Sequence, residues 1–446
     1  MSNSNETIVI VGGGIVGVST AFFTVKSLAE KYPAEQRPSV VLLEQCEPGC
    51  SASGKQLAEF GYDLHAKLAR EYNGPERWGY RPLDTYCAEI DRIPVTPAKQ
   101  HKTTNKRTEA ENMVTSIEVI AAKPQQSLVA TPMHYSGPPS PGEEHQDRTH
   151  SSFDNACVGN MANTAQVDPL KLTRTLLSEA KALGLQIVKA KVIDVEEPGY
   201  RPPILEFPIS SQSRLATDEF SIVEPANTPD STRRASVVKP YLVKVDQGED
   251  IPADKIVVAC GAWVTSCLRW QAFREVSASQ IPIQGLRAHY LIAKPSEPLP
   301  AQAVFAEING TVYNGEDAIE IYSRMDGSVF VCGEALDDPE MPPHNPFEPV
   351  WSKRATNRLK QIVNDVSPSL SFDVINYGLA CHLPVHAKGI PVISPVPDAK
   401  GLFIAAGHGC WGILNGPATG LAMSELLVDG KCTTLDLTNF RLNRWY

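Results

Sequence analysis

The chain has no Cys-x-x-Cys pair, no long apolar run and no excess of positive charge, and each absence excludes a class of protein. Its 10 cysteines are scattered without ligand or framework spacing, so neither a zinc site nor a disulfide scaffold is expected and a reducing compartment is. No stretch of about 18 uninterrupted apolar residues occurs, so no transmembrane helix is expected. The opening "MSNSNETIVIVGGG" lacks a basic n-region and a cleavage site, and its apolar run passes straight into glycines. The closing "RLNRWY" is not a peroxisomal tripeptide, and the expected location is cytoplasmic. With 51 acidic against 41 basic residues the net charge is −10, which argues against a nucleic-acid partner. No Ser-His-Asp or Cys-His arrangement is apparent. His382 and His386 are four apart, but Pro384 between them rules out a helical metal pair, and no metal site is expected.

What is present is a chain of 446 residues, 42% hydrophobic and 21% charged, long enough for two globular domains. The β-branched run Thr7 to Val11 reads as a buried parallel strand. Gly12, Gly14 and Gly17 follow in Gly-x-Gly-x-x-Gly spacing, with Ile15 and Val16 opening a helix that runs to about Lys31. The first glycine permits a tight turn, the second lets backbone approach a pyrophosphate, and the third lets helix and strand pack closely. A second strand, "SVVLLE", ends in Glu44, the acid expected on a ribose. It falls 27 positions after Gly17, against the usual ~20, and the polar loop "YPAEQRPS" accounts for the excess. The small polar stretch after it, "QCEPGCSASGK", places Ser51 and Ser53 where a phosphate-side loop is expected.

Residues from Asp91 to about Asn160 are rich in Pro, Ser, Thr and charge and read as a loop-rich insertion. A helix is predicted from Pro169 to Leu183, ended by Gly184. Strands are predicted at Gln186–Lys189, Lys191–Glu196, Tyr241–Asp246 and Lys255–Ala259, with a second irregular stretch at Pro198–Lys239. "GLRAHYLIAK", "GTVYNG" and "AIEIYSRMDGSVFVCGE" alternate like antiparallel strands, with Asp326-Gly327 as a hairpin turn. A helix is predicted over roughly Pro349 to Val366. Last comes the strand "GLFIAA" and the glycine loop "GHGCWGILNGPATG", from Gly407 to Gly420, whose backbone can pass close to another molecule.

Taken in order, Gly-x-Gly-x-x-Gly, the ribose acid, "AQVDP", "VVACGAWV", "GLRAHY", "GLFIAAGHGCWGILNGPATG" and the closing Phe440, Leu442 and Arg444 resemble the D-amino-acid-oxidase-like (DAO) FAD-dependent oxidoreductases, which include glycine and sarcosine oxidases. The resemblance implies an α/β fold: a Rossmann-like FAD-binding domain, discontinuous over 1–60, 164–280 and 375–446, and an antiparallel-sheet substrate domain over 61–163 and 281–374, with the insertion at about 92–155. It implies FAD as cofactor. Gly407, His408, Gly412 and Ile413 would lie at the flavin, and Val192 and Gly261 near its adenine half.

The reaction implied is oxidation of a C–N bond in an amine or amino-acid-like small molecule, by hydride transfer to flavin with oxygen as acceptor. His289, Tyr313, Tyr322, Arg324 and Trp411 are candidate substrate residues. Cys381 resembles the cysteine to which sarcosine-oxidase relatives attach flavin. Two departures stand out. Leu383 occupies the position of the family's carboxylate-clamping arginine, with Arg287 and Arg324 as possible substitutes. A glycine-rich segment is absent after Lys55, where "QLAEFGYDLHAKLAREY" already has helical spacing. The alternative reading is therefore a flavin-binding or catalytically vestigial member that acts as a scaffold or regulator. An NAD dehydrogenase would leave the late glycine loop unexplained.

Overall fold

The computed structural model of the chain describes residues 6–44, 55–91, 156–198, 239–295, 298–309, 317–335, 352–366 and 373–442. The insertion expected at about 92–155 lies outside them, as do Ser51, Ser53, Tyr313 and Arg444.

A six-stranded sheet carries the first motif. Its order is β17 (Val392–Pro395), β18 (Leu402–Ala406), β11 (Lys255–Val258), β1 (Thr7–Val11), β2 (Ser39–Glu44) and β7 (Gln186–Lys189). Every pairing in it is parallel except β17 with β18. The strands in its middle are apolar throughout because both faces are covered; all five residues of β18 are buried.

One face is covered by α1 (Ile15–Lys31), α2 (Lys55–Glu71), α4 (Pro169–Ala182) and α7 (Gly412–Asp429). Phe22, Leu68, Leu176 and Met423 share a core there with Ile8 and Leu42. Trp78, in the short α3 (Gly74–Trp78), belongs to the same core. The other face is covered by a three-stranded antiparallel sheet of β8 (Val192–Glu196), β9 (Tyr241–Val245) and β10 (Ile251–Ala253). Val195 and Val243 meet Val9 and Val258 in that second core, together with Val264 of the short α5 (Val264–Cys267). Each such fully buried side chain is worth roughly 1.5–3 kcal/mol.

The second large sheet has seven strands, in the order β16 (Asp373–His386), β12 (Ile283–Lys294), β15 (Val329–Ala335), β14 (Asp317–Ser323), β13 (Gln302–Asn309), β4 (Asp84–Asp91) and β5 (Ala156–Gly159). Pairings are antiparallel except between β13 and β4, so the sheet is mixed where the sequence suggested purely antiparallel strands. Gly327 takes a left-handed φ of 78° in the β14–β15 hairpin, as the Asp-Gly signal predicts. β3 (Arg81–Pro82) and β6 (Ala165–Gln166) form a separate two-stranded ladder.

Because side chains alternate along a strand, this sheet has two distinct faces. Leu291, Ile319, Ile321, Val329 and Val331 point to α6 (Lys353–Val366) and pack on its Leu359, Ile362 and Val363. The opposite face is carried by Tyr290, Phe305, Glu320, Tyr322, Phe330 and Cys332. Helix α6 begins four residues after the predicted Pro349, and Ser352 stands at its entrance with its hydroxyl accepting from the Ala355 amide at 3.4 Å.

Candidate cofactor and substrate site

The three motif glycines do different physical work. Gly12 has φ 113°, and a Cβ there would stand 2.5 Å from the Ala259 carbonyl oxygen at the end of β11. A Cβ on Gly17 would lie 1.9 Å from the Gly12 carbonyl oxygen, so helix and turn can touch only as glycines. At Gly14 the conformation is ordinary (φ −68°) and a Cβ would meet nothing within 4 Å. The space in front of it is open. Gly14 is also the N-cap of α1, with no side-chain cap and no acid in the first turn. The amides at this helix end therefore face that space with an uncompensated partial positive charge. Ile15 and Val16 are buried through their side chains and have only backbone to offer there.

Glu44 ends β2 beside this turn. Its Oε2 accepts from the Gly13 amide, and a Cβ on Gly13 would lie 2.6 Å from the Glu44 Cγ. Gly13, which the motif spacing does not flag, thus leaves room for the Glu44 side chain. Gly261, after β11, has φ 55° and a Cβ there would also meet nothing within 4 Å. Val192 lies at the start of β8, buried in the core between the two stacked sheets with Val41 and Leu43.

The late glycine loop leaves β18 and enters α7. Gly407 has φ 89° and packs against Ile283 and His386, at 2.9 and 3.2 Å from its would-be Cβ. His408 makes an isolated antiparallel bridge with Val385 of β16. Its side chain is 1% exposed, and Nε2 lies 2.9 Å from Thr419 Oγ1 on α7. Burial pulls the imidazole pKa down to about 3, so it stays neutral. His408 ties the loop to the helix and directs its ring inward.

Gly412 and Ile413 open α7, which has no side-chain cap and no acid in its first turn. Two packed helices, α1 and α7, thus start uncapped after β1 and β18, the two strands that flank β11 in the sheet. Helix α2 seals the side of α7. A Cβ on Gly61 would lie 2.4 Å from the Leu414 carbonyl oxygen, and buried His65 Nε2 donates to the Ile413 carbonyl at 2.7 Å. Burial lowers the His65 pKa as well. His65 carries no recognisable motif and was not legible in the sequence.

The open face of the seven-stranded sheet lies over the 409–411 turn. Tyr290 and Phe330 stack at 5.1 Å, Tyr322 tilts against Phe330 at 6.0 Å, and Phe305 meets Tyr322 edge-on at 6.0 Å. The Tyr322 hydroxyl donates to Glu320 Oε2, and the Cys332 thiol donates to the same oxygen at 3.4 Å. Burial first, and then the Glu320 charge, hold both groups well above their ordinary pKa values. The same two causes raise the Cys410 thiol in the turn below. Trp411, beside it, is 45% exposed.

Not every candidate substrate residue reaches this face. Buried His289 lies on the α6 side, where its Nε2 accepts from the Ser352 amide at 2.9 Å. Arg324 follows β14 and pairs with Asp168 at 3.0 Å, at the hairpin end of the sheet. The alternation of strand faces explains His289, through a register that only the folded sheet defines, while Arg324 lies beyond the last residue of β14. Cys381 is half-buried on β16 opposite Ala288, and Leu383 lies opposite Leu286. Arg287 is paired across the ladder with His382. Among the described residues no group of three or more His, Cys, Asp or Glu could hold a metal ion, and no helix is long and apolar enough to cross a membrane.

With this geometry in hand, the chain can be compared with known proteins. A Schizosaccharomyces pombe protein named as an oxidoreductase is 29% identical over 465 residues, covering 98% of this chain and 97% of its own. TDA3 of Saccharomyces cerevisiae, also named as an oxidoreductase, is 26% identical over 530 residues, covering 98% and 94%. The crystal structure of glycine oxidase from Geobacillus kaustophilus has the same fold, with TM-score 0.61 and 20% identity over 99% of this chain and 100% of that one. The family profile described as FAD dependent oxidoreductase, DAO, matches residues 7–206 and 226–426. The chain, with its mixed α/β architecture of parallel and antiparallel sheets, belongs to the DAO family of FAD-dependent oxidoreductases.

Proposed function

We propose that this chain binds FAD along the edge where α1 and α7 start, and that it oxidises a C–N bond in a small amine, with oxygen as acceptor. The observation that carries the reading is the pair of uncapped helix ends, that of α1 with open space before Gly14. That donor set suits an anionic dinucleotide. Backbone amides from Gly12 to Gly17 would hold the pyrophosphate and Glu44 the ribose hydroxyls. Val192 and Gly261 would border the adenine half, and the amides of Gly412 and Ile413 would meet the flavin. The FAD-binding unit is the discontinuous one, 1–60, 164–280 and 375–446, extended by α2 and α3 to Trp78, which share its core, and without β16 to His386, which lies in the seven-stranded substrate sheet.

When bound, FAD supplies the hydride acceptor. The protein supplies position and exclusion of water. The aromatic face of Tyr290, Phe305, Tyr322 and Phe330 covers the substrate from above, and Trp411 lies beside it from the turn. Neutral His408 keeps the turn fixed without adding charge.

One observation favours the second reading, a flavin-binding scaffold without turnover. Helix α2 starts at Lys55, so residues 45–54 are the whole link between the ribose acid and the helix that seals α7. Anaerobic addition of amines to the FAD-loaded protein separates the two. The oxidase reading expects the visible flavin band to bleach with at least one amine and to recover with air. A band that no amine changes, in protein that holds FAD, leaves the scaffold.

A further inference from the structure

Among the described residues the Glu320 carboxylate forms no ion pair. Its strand neighbours place it on the open face of the seven-stranded sheet, opposite Phe305 on β13 and Cys332 on β15. Both of its hydrogen-bonding neighbours, the Tyr322 hydroxyl and the Cys332 thiol, are neutral donors to a single oxygen, Oε2. Among the described residues no lysine, arginine or histidine forms an ion pair with it. The arginine one turn away in sequence, Arg324, is engaged by Asp168. A half-buried carboxylate in such a place is stabilised by a cation it can reach.

The surroundings specify what kind of cation. A metal ion would need further ligands, and among the described residues no group of three or more His, Cys, Asp or Glu could hold one. The thiols of Cys332 and Cys410 are held protonated, by burial and then by the Glu320 charge itself. What adjoins the carboxylate is aromatic: Tyr322 contacts Phe305 and Phe330, each at 6.0 Å, and Phe330 stacks on Tyr290 at 5.1 Å. A carboxylate set among aromatic rings is the chemistry that binds an alkylammonium, through one ion pair and the ring faces. For the carboxylate end of an amino acid, neither Leu383 nor Arg324 is a counterpart. Leu383 faces Leu286, and Arg324 is tied to Asp168.

We infer that Glu320 is the substrate-recognition carboxylate of this site, and that the site takes an alkylammonium lacking an α-carboxylate. The inference rests on the amine-oxidation reading for the word substrate, but the binding itself does not. The two therefore fail separately.

The test is calorimetric titration of the full chain with n-butylammonium chloride and, separately, with sodium butyrate, before and after loading with FAD. Saturable binding of n-butylammonium at least about tenfold tighter than butyrate is expected. Glu320→Gln, which keeps shape and removes charge, should weaken the ammonium by about 10- to 100-fold, the range for a charged hydrogen bond, and leave FAD uptake unchanged. Equal or tighter binding of butyrate by the wild-type chain would overturn the inference, as would no ammonium binding at all. The wild-type comparison stands even if the variant folds poorly. Ammonium binding in a protein whose flavin no amine bleaches would remove the oxidase reading and leave this one intact.

Discussion

Glu44 and the glycines around it illustrate how one residue can matter for folding, for binding, or for both. Glu44 meets the Gly13 amide and stands at the edge of open space. Replacing it with Gln preserves size and weakens charge-assisted bonds worth roughly 1.5–3 kcal/mol each, so FAD affinity should fall by a factor of ten or more in a fluorescence titration. Unchanged affinity would remove Glu44 from the site. Gly14→Ala and Gly17→Ala should part company. The first adds a methyl to empty space at φ −68° and should leave thermal stability intact while weakening FAD. The second drives a methyl to 1.9 Å from a backbone oxygen and should cost about 3 kcal/mol of stability. Identical melting of the two variants would contradict this division. The motif spacing made Gly12, Gly14, Gly17 and Glu44 legible in the sequence. It could not reveal Gly13, whose constraint is the Glu44 side chain arriving from another strand.

At the scale of elements, α7 is held by two buried neutral histidines, His408 from its preceding loop and His65 from α2. Both have lowered pKa values, for His408 to about 3, with burial the leading cause. An unfolded chain protonates histidine near its ordinary value of about 6.5. The unfolded state therefore takes up protons that the folded state refuses, and stability falls as pH drops from about 6.5 towards 3. For His408 the full loss is on the order of 5 kcal/mol. Urea unfolding at pH 7 and pH 5 should show the difference, and His408→Gln should flatten it. A pH-independent midpoint over that range would show that these imidazoles are not buried in the folded protein. The helix and its loop were readable from glycine, proline and apolar spacing. The histidine contacts were not, because His65 and Ile413 are hundreds of positions apart.

For the whole molecule, the order of soft motifs made the family and the Rossmann-like sheet legible, since β1, β2, β11 and β18 are apolar runs set against glycine turns. The substrate side was less legible. Which of His289, Tyr322 and Arg324 faces the 409–411 turn depends on strand register and on α6 covering the other face. Glu320 appears in sequence only as an ordinary polar position of an alternating strand. With Leu383 at the clamp position and Arg324 held by Asp168, glycine and D-alanine should be poor substrates, since a buried carboxylate without a partner costs several kcal/mol. An oxygen-uptake screen in which either outpaces simple alkylamines would show that another residue does the clamping.

On the proposed reading, the turn from Gly12 to Gly17, Glu44 and the start of α7 together hold FAD. The most direct measurement is the visible absorption spectrum of the purified chain, titrated with FAD and then dialysed. The family resemblance implies a glycine-rich segment that this sequence lacks after Lys55, and two or three phosphate-side hydrogen bonds of about 1 kcal/mol each would be lost with it. The chain should then purify largely colourless, take up one FAD per chain when excess is added, and lose part of it on dialysis. Gly14→Ala should take up less at the same concentration. A chain that takes up no FAD at any concentration, or that prefers NAD, would contradict the claim.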